Sequence, residues 1–179
     1  MLGALNALEI PYMLTGSVVS SMQGEPRATH DIDVIVAMQG ADVERILPVF
    51  PPPRYYLDPE AARESIRRAT MFNLVDAEDG GKVDFWMLSA EPFDVSRFTR
   101  RAREMVLGVT AFVSSPEDTI LAKLRWARLS GGSEKQFGDA LRVFEVQRPH
   151  LDIPYLERWV RELDLAELWR RLLSEAEGG

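Results

Sequence analysis

The 179-residue chain contains no cysteine. That removes disulfides, thiolate zinc sites and cysteine nucleophiles together. Histidine occurs only at His30 and His150, too few for a multi-histidine metal centre. Any metal must therefore be held mainly by carboxylates, and all-oxygen ligation selects a hard ion such as magnesium or manganese. Lysine is scarce as well: Lys82, Lys123 and Lys135 are the three, and arginine supplies the rest of the 21 basic residues. No run approaches the roughly 18 apolar residues of a membrane span. Met1-Leu2-Gly3-Ala4-Leu5 lacks the basic start and cleavage site of a signal peptide. A soluble, cytoplasmic protein with no membrane partner is expected. The formal charge of −7 argues against a broad basic DNA-binding face.

What is present is ordinary globular composition, with 46% hydrophobic and 27% charged residues. The length suits one domain or one with a small appendage. Short apolar runs at Tyr12–Thr15 and Ile32–Ala37 read as strands, as do Thr70–Val75 and Lys82–Leu88, joined by the turn Glu78-Asp79-Gly80-Gly81. Helices are expected over Leu2–Leu8, Val18–Gln23, Ala41–Leu47 and Glu60–Ala69. From Ser115-Pro116-Glu117-Asp118, a helix start with proline and acids in its first turn, the chain turns helical. That helix runs to about Leu129, where Gly131-Gly132 ends it, and Glu134–Val146, Ile153–Glu162 and Leu165–Glu175 follow. The expected fold class is α+β: residues 1–113 form a small mixed β-sheet flanked by helices, and residues 114–179 form a C-terminal α-helical region packed on that core as a single compact unit.

Gly16-Ser17 lies between a short strand and a helix N-terminus. Unpaired backbone N–H groups and the positive end of the helix dipole suit a phosphate there. Asp31-Ile32-Asp33 opens the next strand. Residues two apart on a strand point to one face, so the two carboxylates project side by side. A cation between them relieves their repulsion; taken alone, the tripeptide also reads as the solvated end of a strand. Asp84 lies within the otherwise apolar strand Lys82-Val83-Asp84-Phe85-Trp86, and an acid there needs a partner. If that strand adjoins the Asp31–Ala37 strand, Asp84 completes a three-carboxylate set; otherwise Lys82 or a cross-strand arginine is its partner.

Gly16-Ser17, thirteen residues, Asp31-x-Asp33 and a later strand-borne Asp84 resemble the nucleotidyltransferase superfamily, the DNA-polymerase-β-like fold. Thr15-Gly16-Ser17 and Gly24-Glu25-Pro26-Arg27-Ala28-Thr29-His30-Asp31-Ile32-Asp33 resemble its AbiEii-like branch, which includes the MenT-like toxins of toxin–antitoxin systems. The likeness extends through Lys82-Val83-Asp84 and Ser115–Leu124 to Glu134-Lys135-Gln136-Phe137-Gly138-Asp139.

The resemblance implies a metal-dependent transferase moving a nucleoside monophosphate from ATP or another NTP to an acceptor hydroxyl with release of pyrophosphate. The implied acceptor is a tRNA 3′ end, and the implied partner a cognate antitoxin. A protein hydroxyl (AMPylation) and a non-catalytic nucleotide- or partner-binding module of the same fold are the alternatives. Gly16, Ser17, Arg27 and Lys123 would hold the nucleotide phosphates. Asp31, Asp33 and Asp84 would hold Mg²⁺ or Mn²⁺, with Asp84 aiding deprotonation of the nucleophile. Lys123 and Asp139 would complete the catalytic set.

On a helical wheel Lys123 lies between Ile120 and Ala127, at the edge of an apolar face, where a snorkelling surface lysine is the alternative. Asp139 shares a face with Val143 and Val146 opposite Phe137, Ala140, Leu141 and Phe144. That makes it either a buried acid between two apolar faces or a solvated aspartate. His30, beside Asp31, is a second-sphere candidate or a bystander. The Arg97/Arg100/Arg101/Arg103 cluster reads as an RNA phosphate path or as a solvated basic helix paired with Glu91, Asp94 and Glu104.

Overall fold

Short strands with continuous buried runs, such as Tyr12–Thr15 and Val34–Val36, organise the first part of the chain. The computed structural model describes residues 1–29, 31–106 and 108–177. His30 lies outside the described residues. Contacts divide the chain into two units: one formed by Met1–Thr15 with Thr29–Val113, the other by Gly16–Ala28 with the chain from Ser114 onward.

The first unit is built on a mixed seven-stranded sheet. Its strands are β1 (Tyr12–Thr15), β2 (Asp31–Val36), β3 (Tyr55–Leu57), β4 (Met71–Asp76), β5 (Lys82–Met87), β6 (Ala102–Val106) and β7 (Val109–Val113), in the order β3-β4-β5-β2-β1-β7-β6. β2 runs parallel to β5 and β1 parallel to β7, while the other neighbours are antiparallel. The same unit carries helices α1 (Leu2–Ala7), α3 (Gly40–Ile46), α4 (Pro59–Arg68) and α5 (Pro92–Thr99). One face of the sheet buries Val34, Phe72, Leu74 and Phe85, and the Phe72 and Phe85 rings stack at 5.0 Å. On the other face Met13 and Ile35 are covered by Phe98 of α5, with Trp86 and Leu88 packed against them.

The second unit is helical: α2 (Gly16–Gln23), α6 (Pro116–Leu129), α7 (Glu134–Gln147), α8 (Ile153–Glu162) and α9 (Ala166–Glu177). α2 lies so close to α7 that a Cβ on Gly24, just after it, would sit 2.9 Å from the Val143 backbone nitrogen. Only glycine fits that approach. Ser115 caps α6 as the sequence suggested, accepting from the Asp118 N–H at 3.2 Å. The acid in that first turn does more than face the dipole: Asp118 is fully buried. Its Oδ1 accepts the Tyr155 hydroxyl at 2.6 Å, and its Oδ2 accepts the Ser115 hydroxyl at 2.9 Å. The Tyr155→Phe variant strips a donor from a buried carboxylate and should lower stability by about 1–3 kcal/mol, measured by urea unfolding. A change within about 0.5 kcal/mol would show the bond contributes nothing.

The arginine cluster is not one basic helix. α5 ends at Thr99, and Arg103 stands on β6, which pairs with β7. Arg97 pairs with Asp94 at 2.8 Å, as one of the sequence expectations had it. Arg101 stacks over Phe98 and Phe112 at 4.2 and 5.0 Å, and Arg103 over Phe112 at 5.1 Å. Burial lowers the Arg101 pKa. These guanidinium planes cover aromatic rings of their own unit.

Candidate active site

In the first unit the candidate carboxylates share one sheet face. β2 and β5 pair in register, Asp31 opposite Lys82 and Asp33 opposite Asp84. Because side chains alternate, Asp31 and Asp33 of β2 share that face with Lys82, Asp84 and Trp86 of β5. Asn73 of β4, opposite Asp84, adds an amide, and Thr15 of β1, opposite Asp33, a hydroxyl. The polar end of the face is thus formed where β2 and β5 begin, and Met13, Ile35 and Phe98 fill the other end.

The carboxylates differ in exposure and partners. Asp31 is exposed and Asp84 is buried, 9% accessible. Asp33 Oδ1 accepts the Trp86 Nε1–H at 3.3 Å. Lys82 Nζ donates to Asp84 Oδ2 at 3.0 Å and lies 2.9 Å from Oδ1, which has no hydrogen-bond donor of its own. The Lys82 pKa is raised, first by its hydrogen bond to Asp84; desolvation opposes this, and the charges of Asp84, Asp31 and Asp33 add to it.

The donor chemistry fits a hard divalent ion: three carboxylates and a buried Asp84 oxygen with no hydrogen-bond donor. An ammonium already stands against that carboxylate. Among the described residues no group of three or more histidine, aspartate or glutamate side chains is drawn together closely enough to hold a metal. Asp84 is paired with Lys82, and Asp33 accepts from Trp86.

The second unit holds a separate polar cluster centred on Asp139 of α7. Arg27 Nε and Nη2 donate to its two carboxylate oxygens at 3.1 and 2.8 Å, a bidentate pair. Lys123 Nζ of α6 donates to Oδ2 at 2.7 Å, and the Ser20 hydroxyl of α2 reaches the same oxygen at 3.4 Å. Arg27 Nη2 also donates to Ser17 Oγ at 2.9 Å. Lys123 is 5% accessible, so it does not snorkel. On the Asp139 face Val143 is fully buried while Val146 is exposed. Burial raises the Asp139 pKa, but the hydrogen bonds from Arg27 and Lys123 outweigh it and leave the pKa below the usual value. The Arg27 pKa is raised, chiefly by the Asp139 hydrogen bond. Gly16 opens α2 with φ +70°, a left-handed conformation that glycine adopts without strain.

Gly16, Ser17, Arg27, Lys123 and Asp139 therefore belong to one unit, and Asp31, Asp33 and Asp84 to the other. Two participants escaped the sequence reading. Trp86 appears only as one more apolar strand residue, and its indole N–H finds Asp33 through the β2–β5 register. Ser20 lies inside a helix and meets Asp139 across 119 positions of chain. Neither leaves a local signal.

No family model matches the sequence, and no curated protein matches it. Solved structures do. An antigenic nucleotidyltransferase-like protein from Paracoccidioides brasiliensis matches over 98% of this chain and 87% of its own, with a TM-score of 0.61 at 16% identity. The chain has a nucleotidyltransferase-like fold. The antibiotic-resistance factor ANT(2'')-Ia matches over 99% of this chain and 92% of its own, with a TM-score of 0.48 at 12% identity. The expected α+β class, with a mixed sheet flanked by helices, agrees with this nucleotidyltransferase-like architecture. No helix among the described residues is long and apolar enough to cross a membrane.

Proposed function

We propose that the protein transfers a nucleoside monophosphate from an NTP to an acceptor hydroxyl and releases pyrophosphate. The observation that carries this is the β2–β5 register, which sets Asp33 directly beside Asp84 with Asp31 on the same face of a nucleotidyltransferase-like sheet. Two like charges facing each other across paired strands are destabilising unless something else holds them there. A divalent cation, Mg²⁺ or Mn²⁺, is what Asp31, Asp33 and Asp84 would hold; it would neutralise the triphosphate and the departing pyrophosphate. Gly16 and Ser17 at the α2 N-terminus, with Arg27 and Lys123, receive the phosphates. Asp139 orients those two cations. Asp84 accepts the proton of the attacking hydroxyl as its oxygen bonds to the α-phosphorus and the bond to pyrophosphate breaks.

The acceptor proposed is a tRNA 3′ end, as the resemblance to AbiEii-like and MenT-like toxins implies, with a cognate antitoxin as the protein partner. The hold of Lys82 on Asp84 favours a second reading, a nucleotide-binding module without turnover, because the ammonium occupies the oxygens that would receive the proton. Incubation with α-labelled NTPs, Mg²⁺ and total tRNA separates these readings. Label on tRNA is expected; label on protein in a lysate would make it an AMPylating enzyme. Nucleotide binding with no label on any acceptor would leave the non-catalytic module.

A further inference from the structure

Lys82 is the one basic residue on β1, β2, β4 and β5, the strands that form the carboxylate face. It stands two residues before Asp84 on β5 and opposite Asp31 on β2. Its ammonium lies within 3.0 Å of both Asp84 oxygens. The partners are unequal. The Asp84 side chain is 13% exposed and fixed in the sheet, whereas the Lys82 side chain is 37% exposed. Lysine carries its charge on a flexible four-carbon stem. The carboxylate stays, and the ammonium can leave to solvent without moving backbone.

We propose that Lys82 is a tethered counter-ion that holds the divalent cation's place on Asp84 and is displaced when that cation binds. Without a cation, Lys82 offsets the mutual repulsion of Asp31, Asp33 and Asp84. With one, two positive charges compete for the same oxygens, so Lys82 limits cation affinity and frees Asp84 only when the cation arrives. This also reconciles a paired Asp84 with its proposed role as a base. The inference rests on the metal reading of the three carboxylates.

Binding of Mn²⁺ alone, followed by the paramagnetic signal of the free ion, tests it without any activity measurement. Lys82→Met should bind Mn²⁺ about tenfold more tightly than the unmodified chain. Adding Asp33→Asn should abolish that binding. Cation-free Lys82→Met should melt below the unmodified chain and regain the difference on adding Mn²⁺. Should Lys82→Met fold poorly, Lys82→Gln carries the same expectations. Equal or weaker Mn²⁺ binding by the Lys82 variants would overturn the proposal and leave the metal reading standing. No Mn²⁺ binding by any form at millimolar concentration would overturn both. Unchanged Mn²⁺ binding with weakened NTP binding would make Lys82 a phosphate ligand instead, and also overturn the proposal.

Discussion

Replacing Asp33 by asparagine should reduce nucleotidyl transfer on the order of 1,000-fold while leaving the cation-free protein at least as stable as before. The two halves of this expectation have different causes. Asp33 faces Asp84 across the β2–β5 pair and stands on the same face as Asp31. On the proposed reading, removing one of the three charges that would hold a cation costs several kcal/mol of transition-state stabilisation, and each 1.4 kcal/mol is about tenfold in rate. Stability moves the other way, because like charges directly opposite each other on paired strands repel. Asparagine keeps the Oδ1 acceptor, so the Trp86 Nε1–H bond survives. Labelled-NTP transfer and thermal melting in chelator measure the two halves. A variant retaining more than a tenth of the activity would remove Asp33 from the reaction. A melting temperature several degrees lower would make its role structural.

The second large effect is on stability. Asp139→Asn removes a charge that Arg27 and Lys123 share. Lys123 is 5% accessible, and breaking a buried ion pair by removing one partner costs about 3–5 kcal/mol. Asparagine retains an acceptor and Arg27 is partly solvated, which places the loss near the lower end, about 3 kcal/mol. For a chain of this length that lowers the melting temperature by roughly 6–12 °C.

The pH dependence follows from the lowered Asp139 pKa. A carboxylate with a lower pKa in the folded state stabilises above its unfolded value, near 3.9, and loses that contribution as pH falls through the folded value. The gap in melting temperature between the unmodified chain and Asp139→Asn should therefore be full at pH 6–7 and close progressively below about pH 4. A gap that persists unchanged at pH 3, in a protein still folded there, would mean that charge at Asp139 is not what holds the cluster.

Short apolar runs were enough to place Asp33 and Asp84 on strands with Asp31 at the start of the first, and the Tyr12–Thr15 strand was equally legible. The weak strands were not. Tyr55–Leu57 has three residues behind a proline run, and Ala102–Val106 exposes its first four positions at the edge of the sheet. Neither shows an apolar alternation, because neither has two neighbours to bury against. The same lack hid the break between α5 and β6, so that Arg97–Arg103 resembled one basic helix.

Chain-local rules of spacing, glycine and capping thus account for the local features: the Gly16-Ser17 turn and the strand-borne aspartates of the proposed site, and the Ser115 helix cap. They are readable because each depends on neighbours within a few positions. Tertiary structure alone decided the partners. Trp86 reaches Asp33 from 53 positions away and Arg27 reaches Asp139 from 112, while Gly16–Ala28 joins the helical unit. Even Lys82, only two residues from Asp84, has its surroundings set by β2, because the register places Asp31 and Asp33 there. Such pairings follow from which strands and helices bury their apolar faces together, and that is a property of the whole chain's packing, which no local pattern encodes.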